Sequence, residues 1–71
     1  MKEQTNNFIE IGKQIKFNKY IAGMSKVILK EDIIGTIKEL DDFECKVIIE
    51  PIKLIAYVDY NDIKEVLKWK K

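Results

Sequence analysis

Cys45 is the only thiol and Ser25 the only serine in this chain, and there is no histidine to act as a base for either. A thiol or hydroxyl becomes a useful nucleophile when a base or cation beside it activates it, so the inventory argues against nucleophilic catalysis. Cys45 stands between Glu44 and Lys46 on an expected strand and reads as a small, half-buried apolar residue. With no histidine and one cysteine, a transition metal would lack its usual nitrogen and sulfur ligands. The carboxylates Glu39, Asp41, Asp42 and Glu44 crowd one short stretch. They lack the Asp-x-Asp-x-Asp-Gly spacing of a calcium loop and read as a solvated hairpin tip. Gly12, Gly23 and Gly35 are isolated, so no glycine-rich phosphate cradle is present. The expectation is a protein that is not an enzyme and that uses no cofactor and no metal.

Charge is the more informative chemistry. All 13 basic residues are lysine, against 12 acids. Residues 1 to 30 hold six lysines and two acids, residues 31 to 65 four lysines and ten acids, and residues 66 to 71 three lysines. If the two ends of the chain are neighbours, as the ends of small domains often are, their lysines form one basic face. Phe17, Tyr20 and Trp69 lie beside it in sequence. Rings that stack on bases and cations that meet phosphates are the ingredients of single-stranded nucleic-acid binding. The residues expected to carry that function are Lys16, Lys19, Lys68, Lys70 and Trp69. The lack of arginine removes the commonest specific base contact, and the acidic middle would repel a nucleic-acid backbone.

The elements that position these residues follow from periodicity. Residues 1 to 7 are polar and expected to be a disordered tail, and residues 8 to 71 a single small domain. The 13 isoleucines favour strands. Residues 8 to 18 alternate with Ile9, Ile11, Lys13, Ile15 and Phe17 in one phase, which fits a strand, although Phe8, Ile11 and Ile15 also fit a short helix. Residues 19 to 24 read as a connection with a turn near Gly23, and residues 26 to 30 as a strand. Glu31 and Asp32 mark a bend. The strand that follows carries Gly35 between isoleucines. Residues 41 to 44 form a hairpin loop, residues 45 to 50 a strand, and Pro51 a turn. Residues 53 to 60 put Leu54, Ala56 and Val58 on one face and Ile55 and Tyr57 on the other. From Asn61 the period changes, with Asp62 and Glu65 at capping-box spacing; either one helical turn precedes a short last strand or a helix runs to the end.

Several short strands with turns between them suggest a small all-β barrel or sandwich. Residues 26 to 66 resemble an SH3-like or Sm-like barrel. The likeness is carried by "VILKEDIIGTIKEL", where Gly35, Thr36 and Ile37 bend a strand, by "DDFECKVII", and by "AYVDYNDIKEV" with Asp62, Ile63 and Val66. The "GTI" strand followed by an Asp-Ile pair is also similar to the C-terminal part of the YolD-like bacterial family. The resemblance implies an all-β, five-stranded SH3-like/Sm-like barrel with a short C-terminal helical turn, in a class of folds that bind RNA, DNA, peptides or copies of themselves.

A chain of this length buries only about 60% of its unfolded surface, yet both faces of its strands are apolar. Ile28, Ile34, Ile48, Ile55 and Tyr57 are left over once one face is turned inward. They are the expected protein-contact surface, toward a second copy or another protein. Within "IIGTI", Gly35 is expected to allow a bend or close crossing, with Ile33 and Ile37 inside and Ile34 outside beside Thr36 and Lys38. The single cysteine and the lack of an apolar run of ~20 residues fit a cytoplasmic protein without a membrane span.

Overall fold

The computed structural model describes residues 9 to 69. The chain is all-β: β1 (Lys13–Ala22), β2 (Ser25–Leu40), β3 (Glu44–Ile49), β4 (Leu54–Asp59) and β5 (Ile63–Trp69), with one 3-10 turn, Tyr60–Asp62, closing the gap between β4 and β5. All pairings are antiparallel. They run β1 to β2, β2 to β3 and β3 to β4; β4 meets β1 again at one pair, Ile21 with Tyr57, and β5 lies on β1.

Alternation decides what is inside. Ile15 and Phe17 from β1, Ile37 from β2, Val47 from β3 and Val58 from β4 are completely buried. Ile33, Leu54, Ile63 and Val66 pack against them from the rim. Each large aliphatic or aromatic side chain taken out of water in this way contributes about 1.5–3 kcal/mol. Cys45 joins the core fully buried rather than half-buried, because its phase on β3 is that of Val47 and Ile49.

The first strand begins later and ends later than its alternation suggests. Gly12 has a φ of 100° and donates its N–H to the Ile37 carbonyl at 2.9 Å, so Ile11 and Gly12 turn the chain before β1 starts. Ile11 is exposed there. At the other end, the register slips between Phe17 and Lys19. The slip moves Tyr20 inward, edge-on to Phe17 with ring centroids 6.0 Å apart, and carries the strand to the hairpin at Gly23 and Met24. Residues 19 to 22 are therefore strand, not connection.

β2 is one element of 16 residues. Glu31 and Asp32 do not end it. They fall where Phe17 pairs with Ile33 but Lys19 pairs with Ile28, so a loose segment of β2 faces a single residue of β1 and the ladder resumes beyond it. Further along, β2 leaves β1 and joins β3, with Thr36 opposite both Gln14 and Ile48.

Gly35 lies on the inward phase with Ile37, as expected, and its φ is not positive. It is required by close approach: a Cβ there would come within 3.1 Å of the Phe17 ring and of Val47 Cγ2. At the C-terminal end, the turn precedes the place expected. Asp59, not Asp62, caps it, accepting from the Asn61 N–H at 2.8 Å. Ile63 onward is strand, so Asp62 and Glu65 do not form a capping box.

Candidate protein-contact surface

The inward residues fill the core, and among the lysines of the outward phase several large apolar side chains remain exposed or half-buried. Gln14, Thr36, Ile48 and Ile55 stand in one row across β1, β2, β3 and β4. Ile34 lies two residues from Thr36 along β2. Gln14, Ile34, Thr36, Ile48 and Glu50 line an open depression of about 280 Å³. Thr36 is on the outward phase, as its parity requires, but these neighbours close over it and it is buried. From Ile55 the row turns along β4 to Tyr57, which faces Ile21 across the β4–β1 pairing and Lys46 across β3. Ile28 is diagonal to Ile21 on the adjacent β2, since Ile21 pairs with Lys26 and Lys19 with Ile28.

The five expected contact residues stand on the outward phase, in a path that runs from Ile34 on β2 through Ile48, Ile55 and Tyr57, and by way of Ile21 on β1 returns to β2 at Ile28. Ile28 is 68% exposed, Ile55 46% and Ile34 43%; Ile48 and Tyr57 are half-buried by their cross-strand neighbours. Simple odd-even counting from Ile15 and Phe17 places Ile21 inside. The slip after Phe17 reverses the phase, and the sequence Lys-Tyr-Ile-Ala at residues 19 to 22 carries no alternation that would have shown it.

The residues expected to meet nucleic acid are distributed differently. β1 and β5 are neighbours, as that reading requires, with Lys13 opposite Trp69 and Lys16 opposite Glu65. Lys13, however, is buried. Lys16 is ion-paired with Glu65 at 3.2 Å. Phe17 and Tyr20 are core residues whose rings offer no stacking face. Lys19 stands outward opposite Ile28. Lys68 and Trp69 belong to β5, and Lys70 lies outside the described residues.

Titration follows burial. The Cys45 thiol is pushed up to about 11 by its desolvation and, secondarily, by the adjacent Glu44 carboxylate. Desolvation also raises the Tyr60 phenol, helped by Cys45, Asp41 and Asp42 and opposed by the hydrogen bond its hydroxyl donates to the Asp41 carbonyl. Among the described residues no group of histidine, cysteine and carboxylate side chains is arranged to hold a metal ion, and no helix is long and apolar enough to cross a membrane.

No family model, curated protein or solved structure matches this chain. The likeness to the YolD-like family therefore has no family match behind it.

Proposed function

We propose that this chain is a non-enzymatic binding module on an SH3-like or Sm-like barrel, docking protein through the band of Ile21, Ile28, Ile34, Ile48, Ile55 and Tyr57. The observation that carries the reading is the register: these large side chains follow one another across paired strands on the outward face. Exposed apolar residues scattered singly are ordinary, whereas a contiguous run is the usual mark of an interaction surface. The barrel reading is supported by the circuit of pairings from β1 through β2, β3 and β4 back to β1, which leaves few open edges for unspecific strand pairing. The non-enzymatic reading is supported by Cys45, whose buried thiol stays protonated far above neutral pH and so lacks the thiolate that would attack.

A second copy is the first partner to test, because a closed pair of identical chains is the commonest assembly. Light scattering across a concentration series should show the wild-type mass rising toward a multiple of the monomer. The double variant Ile48→Ser, Ile55→Ser should stay monomeric while keeping its melting transition. A wild-type chain that remains a clean monomer at high micromolar concentration removes self-association through the band.

A further inference from the structure

Two hairpins of opposite charge flank the Tyr60–Asp62 turn, and each carries an exposed apolar residue. On the β1–β2 hairpin, Ile28 has Lys19 opposite it across the ladder and Lys26 and Lys30 two residues to either side along β2. No carboxylate occurs from residue 11 to residue 30. On the β2–β3 hairpin, Phe43 is 78% exposed and stands between Asp42 and Glu44, with Asp41 next in line. Lys26 reaches Asp62 of the turn at 3.7 Å. The Tyr60 N–H donates to the Phe43 carbonyl at 3.1 Å, its hydroxyl donates to the Asp41 carbonyl, and the Asp41 N–H donates to the Glu44 carbonyl at 2.9 Å.

The acidic tip is therefore held in place before any partner arrives, which lowers the ordering cost of docking. Among the described residues, Lys19, Lys30, Asp41, Asp42 and Glu44 form no ion pair with one another or with other described residues, whereas Lys16, Lys26, Lys46 and Lys64 each meet a carboxylate. We infer that the two hairpins are complementary surfaces for a second copy of this chain. The lysine-ringed Ile28 of one copy seats against the carboxylate-ringed Phe43 of the other, and the reverse contact forms at the same time. Both surfaces touch one turn, and in a pair related by a two-fold axis each copy offers one surface of each kind to the other. This rests on the protein-contact reading for the use of Ile28 and adds a partner, a polarity and a second surface.

Charge swapping tests it. The variant D41K/D42K and the variant K19E/K30E each set like charges against each other in a self-pair, but mixed together they restore both contacts. Wild type should double its mass at low salt and lose the dimer as salt screens the contacts. Each variant alone should weaken the dimer by on the order of tenfold or more, and an equimolar mixture should recover the double mass. The substitutions are exposed or partly exposed, and unchanged far-UV circular dichroism would show that folding is intact; Phe43→Ser is a second, neutral variant that should also weaken the dimer. A monomeric wild type, a dimer indifferent to both swaps, or a mixture that stays monomeric overturns the inference. If Ile48→Ser, Ile55→Ser abolishes the dimer while the swaps do not, the outward band stands and the hairpin docking falls. The opposite pattern removes the band and keeps the hairpins.

Discussion

Gly35 is where the packing can be challenged most sharply. A single added carbon there would lie 3.1 Å from the Phe17 ring and 3.1 Å from Val47 Cγ2, with Val47 Cβ at 3.2 Å. Both neighbours are wholly buried, so neither can swing into solvent to make room. Overpacking of a close-packed interior costs about 1–3 kcal/mol. Replacing glycine also restricts the unfolded chain, which returns about 0.4–1 kcal/mol at a position whose φ suits other residues, and Gly35 is such a position. Gly35→Ala should therefore destabilise by about 1 kcal/mol net, and Gly35→Val, with two more carbons in the same space, by about 3 kcal/mol. For a domain of this size each kilocalorie moves the melting temperature by about 4–8 °C. The decisive assay is a double-mutant cycle by urea denaturation. Val47→Ala alone leaves a void and costs on the order of 2 kcal/mol. Combined with Gly35→Ala, it removes the Cγ2 contact while leaving the Cβ contact in place, so the pair should be less destabilised than the sum of the singles by on the order of 0.5–1 kcal/mol. Strict additivity, or an unchanged melting temperature for Gly35→Val, would refute the close-approach account.

Three other expectations can be measured on the same material. Cys45 ionises at about 11 in the folded chain against 9.0 as its reference value; a raised folded pKa adds stability below the unfolded pKa and loses it as pH climbs through the folded one, so the melting temperature should fall between pH 9 and 11. Cys45→Ala should flatten much of that fall, leaving the part due to Tyr60, which has the same sign; an identical fall in the variant would count against it. Tyr60→Phe deletes the hydroxyl bond to the Asp41 carbonyl and should cost about 1 kcal/mol, with amide exchange at residues 41 to 44 speeding up. Lys53 has a φ of 58° in the β3–β4 turn, a conformation that costs a side-chain-bearing residue roughly 1 kcal/mol. Lys53→Gly should accordingly raise the denaturation midpoint slightly, and a lowered midpoint would show that the lysine side chain contributes more than its backbone costs.

Part of the fold was legible because two of its five strands, β3 and β4, obey one rule over six residues. On β3 and β4 the phase of Cys45, Val47 and Ile49, and of Leu54, Ala56 and Val58, is unbroken from end to end, and Ile48 and Ile55 are consequently outward without exception. β1 and β2 are harder because their phase is interrupted. The slip after Phe17 and the loose segment at residues 29 to 32 leave each strand extended while changing what faces what. A charged Glu31–Asp32 pair looks the same in sequence whether it ends a strand or bulges from one. Phe17 and Tyr20 show the same effect: they are three apart, which alternation places on opposite faces, but the slip turns both into the core.

The outward isoleucines can be separated from stability, which is what makes the contact surface testable at all. The core is filled by residues of the inward phase, and Ile28, Ile34 and Ile55 contribute little to it because much of each side chain is still in water. Changing Ile55 to serine forfeits some strand preference, worth up to about 1 kcal/mol in a sheet, and a part of the cross-strand contact with Ile48. Removal of a buried isoleucine such as Ile37 forfeits about 2–5 kcal/mol. If the band existed only because isoleucine is common in this chain, serine there would lower the melting temperature slightly and alter no association. If the band meets protein, the same change should alter association far more than melting. The ratio of the two effects, rather than either one alone, decides which account of these residues is right.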